Sequence, residues 1–383
     1  MNIDLTLAEN DLQAEARAFC QSILAPLTSA HPSDQSAAPY LALATHGWMS
    51  ALWPSAQGEA LRYRSFVLVI EELARVDLSL AIAVAIHTCL AAMSIVDAGR
   101  PEQQARYLPP LAAGQLAAFA VTEPDAGSDP GSLTMLATPT FDGFVLNGRK
   151  TWVSNGGLAQ TFVLFASTHP PARHRGVTAF IVDRQTPGLR LLGREPTLGL
   201  PRLGMYTIAL EQCHVAANQV LGEVNHGWPI ILRAFDRVRI SLAAAALGAA
   251  GAALDHGLAY ASQREQFGSV IAHKQAIQAL LADSALEIEA LRALVRRAAT
   301  QADAGASYNL AASQAKLFGA RAANAVCDRM LQLFGGAGFS EHHPLADLYR
   351  DVRALRLLGG TDQVQGYVIA RALLEPLGVR IQP

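Results

Sequence analysis

A chain of 383 residues is longer than one ordinary hydrophobic core, so two or three packed units sharing an interior are expected. Hydrophobic residues make up 51% and charged residues only 16%, with a net charge of −2, which leaves no basic face for nucleic acid and no polybasic anchor for a membrane. Four widely spaced cysteines, Cys20, Cys89, Cys213 and Cys327, show no CxxC or Cys/His ligand spacing, so neither a disulfide framework nor a metal site is expected. Met1-Asn2-Ile3-Asp4 lacks a basic region followed by an apolar core, so no signal peptide is read and the expected location is cytoplasmic.

The first unit, 1–114, has helical periodicity. Thr6-x-x-Glu9 reads as a capping box, and Leu5, Leu7, Leu12, Ala16 and Phe19 supply an apolar stripe behind it. A Pro-containing loop at His31-Pro32-Ser33-Asp34 follows, then a helix near Leu61 to Val76 with a break at Asp77. The apolar run from Leu78 to Val96 is interrupted by His87, Thr88 and Ser94 and has no basic flanks, so it predicts a buried helix rather than a membrane span. Pro101 suits the first turn of another helix, and Pro109-Pro110 is expected to end it.

In the second unit, 115–225, the period switches to two. Phe141-Asp142-Gly143-Phe144 and Leu146-Asn147-Gly148-Arg149 read as hairpin turns between apolar strands. Thr161–Phe165 and Val177–Val182 are continuous apolar strands. This many short strands must close or stack to bury their faces, so a compact β-barrel or sandwich is expected.

The third unit, 226–383, returns to helical periodicity, with long Ala- and Leu-rich segments near Pro229–Ser262, Ala272–Ala304 and Ser307–Phe334, the pattern of a helical bundle. Gly248, Gly251 and Gly257 fall inside the first segment, where glycine costs roughly 1 kcal/mol against alanine, so close helix contact is the expected compensation. The fold class is therefore α+β and multidomain: helical, then β, then a helical bundle.

Several segments carry possible chemistry. In Thr122-Glu-Pro-Asp-Ala-Gly-Ser-Asp129 the loop after an apolar strand offers backbone N–H groups and the Ser128 hydroxyl to an acceptor-rich ligand; taken alone it also reads as an ordinary Asx/Ser turn. Trp152, in Asn147-Gly-Arg-Lys-Thr-Trp-Val-Ser-Asn-Gly156, reads by itself as a core residue. Arg264-Glu-Gln-Phe-Gly268 closes a bundle helix as an exposed charged end followed by glycine. Asp236 and Arg239 share one helix face as i and i+3, either as a solvated pair or as a substrate contact.

Together with Gln332-Leu-Phe-Gly335-Gly336 and Leu358-Gly-Gly-Thr-Asp-Gln363, these segments resemble the acyl-CoA dehydrogenase family of flavoproteins. The resemblance covers nearly the whole chain, weakly over the first hundred residues and strongly from Phe119 onward. It implies an N-terminal helical domain, a middle β domain and a C-terminal four-helix bundle. It also implies a FAD cofactor contacted by Phe119, Val121 and Thr122, by Trp152 packed on the flavin, and by Ser154 as a hydrogen-bond donor to flavin N5. Arg264 with Gln266 and Phe267 is implied to hold the FAD diphosphate of an adjacent subunit, a role that suits the planar arginine fork. Gln332, Gly335 and Gly336 approach the adenosine end across the same interface, and Thr361 and Gln363 complete the set. Ser128, Asp236, Arg239, Gly359 and Gly360 are implied on the substrate side, with an acyl group carried by CoA or by an acyl-carrier protein. A homotetramer, with an electron-transfer partner or oxygen as acceptor, is implied as well.

One departure bears on the reaction. The family removes a proton from its substrate with a carboxylate at the position of Gly359 or, in other members, at that of Val238, and neither residue here accepts a proton. Glu341, His342, His343 and Asp362 are the nearby alternatives, read first as solvated loop residues. Pro201, Leu203 and Met205 likewise replace polar residues of the family's M-G-x-R-x-S-x-T segment. The expected function is an acyl-CoA dehydrogenase-like oxidoreductase. Elimination of the desulfinase type, oxygenation, and a non-catalytic partner subunit are the alternatives.

Overall fold

The computed structural model describes residues 4–28, 35–56, 58–379 and 381. The loop at His31–Asp34 lies outside the described residues. Helix α1 (Leu7–Phe19) starts on the expected box: Thr6 Oγ1 accepts from the Glu9 amide at 3.2 Å, and the Glu9 carboxylate accepts from the Thr6 amide at 2.8 Å. Helix α2 (Ala38–Thr45) and α3 (Tyr63–Val76) follow. Asp77 breaks the chain as predicted, because its side chain accepts from the Leu80 amide at 2.9 Å and caps the next helix. That helix, α4 (Leu78–Ala98), contains a π turn at Ile86–Ala92. It is long and apolar enough to cross a membrane, yet 89% of its most apolar window is buried inside the protein, as a core helix would be.

Helix α5 (Pro101–Ala112) starts on its proline but does not stop at Pro109-Pro110. The two prolines occupy the last turn, where each removes one intrahelical donor but keeps its carbonyl available. Their carbonyls accept from the amides of Ala113 and Gln115, each at 3.1 Å.

Eight strands form one sheet: β1 (Ala117–Ala120), β2 (Leu136–Pro139), β3 (Gly143–Val153), β4 (Thr161–Ser167), β5 (Val177–Asp183), β6 (Leu189–Arg194), β7 (Tyr206–Ala216) and β8 (Val220–Leu221). The order is β6-β7-β3-β2-β4-β5-β8, with β1 parallel to β4 in the register Ala117↔Thr161. The continuous apolar strands are explained by their two buried faces. Phe119, Val163, Phe165, Ala179 and Ile181 point into the helices, while Ala118, Phe162, Leu164, Phe180 and Val182 build a second core inside the β unit. Asp142-Gly143 turns the chain between β2 and β3 as expected. Asn147-Gly148 does not. It is a bulge within β3, where the Asn147 side chain accepts from the Gln212 amide at 2.8 Å on the neighbouring strand.

Helix α6 (Gly227–Gln263) runs for 37 residues, about 55 Å. A short hairpin, β9 (Glu265–Gln266) and β10 (Ser269–Val270), leads to α7 (Gln275–Asp303) and α8 (Asn309–Phe334). Helices α9 (Pro344–Ala354) and α10 (Asp362–Leu374) complete the bundle. The helices before and after the β unit share one apolar core that runs from Ala16 to Leu355. The Gly248 position shows why glycine is tolerated in α6: a Cβ there would lie 2.1 Å from the Glu71 carbonyl oxygen of α3. All four cysteines are buried and unpaired.

Candidate active site

Strand alternation turns the Phe119 side chain of β1 toward the helices. Its ring meets Phe165 at 4.9 Å and Phe235 of α6 at 6.3 Å, which ties the β unit to the helix carrying Asp236, Val238 and Arg239. Past β1, Val121 is buried, and the Thr122 carbonyl accepts from the Thr151 amide at 2.9 Å. Between them a fully buried ion pair locks the two segments. Lys150 Nζ lies 2.7 Å from Glu123 Oε1 and donates to the Val121 carbonyl at 3.0 Å. Glu123 also accepts from the amide and hydroxyl of Thr134 and from the Met135 amide. Burial opposes, but Lys150 and these donors hold the Glu123 carboxyl low, while burial pulls the Lys150 ammonium down to about 8.

A second register shift in β3, between Lys150 and Val153, sets Trp152 at φ 56 and leaves its residue 53% exposed. Ser154 follows at 7% exposure, and its hydroxyl has no hydrogen-bond partner among the described residues. Asn155 pins this end of the strand to the helices by donating to the carbonyls of Ala83 and Ala117. An open indole two residues before an accessible hydroxyl that no described side chain or carbonyl engages fits a planar heteroaromatic group that offers an acceptor at its edge. Ser128 sits exposed in the loop after β1, next to the Asp129–Arg173 ion pair.

The two positions where the family keeps its base are neighbours. A Cβ built on Gly359 would lie 3.7 Å from Val238 Cγ1 and 2.6 Å from Leu242 Cδ1. The wall here is apolar. Gly359 has φ +65 and Gly360 φ +96, so both are in the left-handed region that favours glycine. Their carbonyls are gripped by side chains: Gln365 Nε2 donates to Gly359 at 3.1 Å and to Gly360 at 3.2 Å, and Lys316 Nζ donates to Gly360. Lys316 is 1% exposed, and burial pulls its ammonium down to about 8. Asp236 is committed to Arg239 at 2.8 Å and to Asn309; burial pushes its carboxyl up, against Arg239.

The sequence alternatives for a base are either held by arginines or placed at the far end of the bundle, with Asp362 Oδ1 buried and without a partner among the described residues. Asp362 is 5% exposed and engaged by Arg356 at 2.8 Å and Arg321 at 3.4 Å. His343 caps α9 by accepting from the Leu345 amide, and its ring packs 4.5 Å from Phe334 at the far end of the bundle, with Glu341 and His342 exposed beside it. Thr361 caps α10 by accepting from the Val364 amide at 3.3 Å, and Gln363 is exposed in its first turn. Leu203 of the departed segment is fully buried, and its carbonyl accepts from the Asn155 amide at 2.9 Å, so it serves the core.

The remaining cofactor candidates form a separate group. Arg264 and Gln266 are exposed at the end of α6, and Phe267, 94% exposed with φ 55, is the tip of the β9–β10 hairpin. Tyr260 stacks on Phe334 at 4.0 Å, which brings this end beside Gln332, Gly335 and Gly336, all exposed. From Arg239 to the end of α6 the helix rises about 36 Å. The two groups are thus carried at opposite ends of this stretch of α6.

Sequence reasoning missed Glu123–Lys150, Lys316 and Gln365. A lysine among apolar neighbours is the one signal it had: Lys316 follows Ala311, Ala312 and Ala315 in a helix whose other residues on that face are small and buried.

Three family profiles cover the chain: the acyl-CoA dehydrogenase N-terminal domain at residues 6–115, the middle domain at 118–213 and the C-terminal domain at 225–374. An acyl-CoA dehydrogenase of Bacillus subtilis is 37% identical over 86% of this chain and 87% of its own length. The structure of butyryl-CoA dehydrogenase from Megasphaera elsdenii superposes with a TM-score of 0.94 at 34% identity, covering 98% of this chain and all of that one. The prolyl acyl carrier protein oxidase AnaB does so with a TM-score of 0.93 at 27% identity, covering 97% of this chain and all of that one. With helical outer units, a central β-sheet unit and a sequence match along its whole length, the chain belongs to the acyl-CoA dehydrogenase family of flavoprotein oxidoreductases.

Proposed function

We propose that this protein is a FAD-dependent oxidoreductase of acyl thioesters, carried on CoA or on a carrier protein, and that it works as a homotetramer. The observation that carries the reading is the half-exposed Trp152 two residues before Ser154 at the end of β3, in a β unit whose Phe119 packs on Phe235 of the helix that carries Val238. FAD bound there supplies a two-electron acceptor. Trp152 would pack on its ring system, Ser154 would donate to its edge, and Phe119, Val121 and Thr122 would line its face. Arg264, Gln266, Phe267, Gln332, Gly335 and Gly336 would hold the far end of a neighbouring subunit's FAD, while Thr361 and Gln363 serve the chain's own site. Asp236, Arg239 and Ser128 would flank the thioester. The names of the two structural neighbours span both carriers, a CoA thioester and a carrier-protein thioester.

Desaturation at this wall proceeds without a carboxylate at Gly359 or Val238, so an ordinary saturated thioester should react slowly. The same acid-free wall favours a second reading: elimination or oxygenation on an acyl group already activated by its own substituents. The reduced cofactor would pass its electrons to a partner protein or to oxygen. The direct experiment is anaerobic mixing of the yellow protein with a panel of acyl thioesters while following flavin bleaching. A colourless protein that takes up no added FAD, or a flavoprotein bleached by none of them, would overturn the proposal.

A further inference from the structure

We propose that the acyl group received by this site ends in an oxyanion, such as a carboxylate, and that Tyr63 and Arg237 hold that end beside the Val238–Leu242–Gly359 wall. The inference rests on the acyl-thioester reading above. Residues Val238 and Leu242 stand one turn apart on α6 and face Gly359. Arg237 and Ser241, also one turn apart, form the adjoining stripe of the same helix, because each residue is rotated by about 100° from the last. This stripe is polar and buried. It faces α4, where Arg237 Nη2 pairs with Asp97 and the Ser241 hydroxyl lies 3.3 Å from Cys89 Sγ in the π turn. π turns recur at functional sites, since the extra residue re-aims the side chains on either side of it.

Tyr63, the first residue of α3, closes the cluster, with its ring 6.4 Å from Tyr308. Cys89, Tyr308, Arg237 and Asp97 are the ionisable groups around it. Two polar tips in this cluster are buried with no partner among the described residues: the Tyr63 hydroxyl and Arg237 Nη1. Buried donors are nearly always satisfied, so two bare ones in one cluster ask for an acceptor from outside the chain. A hydrocarbon tail would leave both bare.

The charge balance points the same way. Asp97 lies within ion-pair distance of both Arg237 and Arg233, the latter at 3.7 Å, and Asp236 is taken by Arg239 and Asn309. Arg233 is more than half exposed and Asp303 accepts from the Tyr63 amide, so the positive charge open to an anionic guest is that of Arg237, whose partner Asp97 is shared with Arg233.

The test is isothermal titration of the flavin-loaded protein with succinyl-, glutaryl- and adipyl-CoA against butyryl-, valeryl- and hexanoyl-CoA, which reads affinity rather than the rate of flavin bleaching. At least one acid-ended thioester should bind about tenfold tighter than its length-matched hydrocarbon partner. Arg237→Met and Tyr63→Phe should each bring the paired affinities to within about twofold of one another. Tyr63→Phe is the safer of the two, because Arg237→Met strips Asp97 of its nearest partner. Equal or tighter binding of the hydrocarbon-ended series would overturn this proposal alone. A preference that survives both substitutions would do the same. If neither series binds, the thioester reading falls with it.

Discussion

Restoring a carboxylate at the bare wall should succeed at position 238 and fail, or come at a steep cost, at position 359. Gly359 sits at φ +65, where a residue with a Cβ is disfavoured by roughly 1–2 kcal/mol. Its new Cβ would also fall 2.6 Å from Leu242 Cδ1, well inside contact distance. Overpacking of this kind costs about 1–3 kcal/mol, offset by no more than about 1 kcal/mol from a stiffer unfolded chain. Gly359→Glu is therefore expected to lose about 2–4 kcal/mol of stability, and Gly359→Glu with Leu242→Ala to recover only the steric part. Val238 is in the interior of α6 with ordinary helical backbone, so Val238→Glu carries no such strain and points its carboxylate at the same space. Burial there would raise its pKa toward neutrality, as a general base requires. The assay pairs thermal melting with the rate of anaerobic flavin bleaching by butyryl-CoA. Val238→Glu should speed bleaching by about 10²–10⁴-fold. A Gly359→Glu protein that melts with the parent and bleaches faster than Val238→Glu would refute the reasoning from backbone geometry.

The remaining expectations concern the cofactor and the buried charges. Arg264→Ala should weaken FAD retention by about 1.5–3 kcal/mol, read by ultrafiltration, and a monomer in sedimentation that keeps its flavin would refute the two-chain site. Lys150→Met should destabilise by about 3–5 kcal/mol, because Glu123 is left buried and uncompensated, and adding Glu123→Gln should recover much of it in thermal melts. Asp351, half-buried and accepting from the Leu200 amide, has its carboxyl pushed by burial up to about 7. Below about pH 4 it is protonated in both folded and unfolded chains; as pH rises toward 7 the folded chain holds the proton longer, so stability falls across that window. Asp351→Asn should gain about 2 kcal/mol at pH 8 and nothing at pH 4, allowing for its partial exposure.

The elements most legible in the sequence were those with local causes. The Thr6–Glu9 box and the Asp77 cap follow from residues within one turn of each boundary, and the three long bundle helices from their own Ala- and Leu-rich periodicity. The errors came where a distant strand or helix end decided the outcome. Asn147-Gly148 has the chemistry of a hairpin turn, but β7 runs on past it and turns it into a bulge. Pro109-Pro110 look like a stop, yet their carbonyls still serve the final turn of α5. At the site, the division of the motif residues into two groups was already implied by the family resemblance, while the Glu123–Lys150 pair and the Lys316 and Gln365 donors to the Gly359–Gly360 loop were not. That division depends on the length of α6 and the stacking of Tyr260 on Phe334. The Tyr63–Arg237 cluster joins residues 174 positions apart, which periodicity cannot relate.

The long reach of α6 has a genetic consequence. With the two-chain FAD site proposed above, a chain sound near Arg239 and damaged at Arg264 would spoil its neighbour's FAD site and leave the site on its own wall intact. Two differently damaged alleles, one altered at Ser154 and one at Arg264, would then regenerate a working site whenever their products pair, although neither assembles one alone. Damage at the far end of the helix would shift the loss to the other subunit: in a mixed pair the normal copy loses its cofactor while the damaged copy keeps its own. The rod that joins the two half-sites thus makes each subunit's fitness a property of the company it keeps.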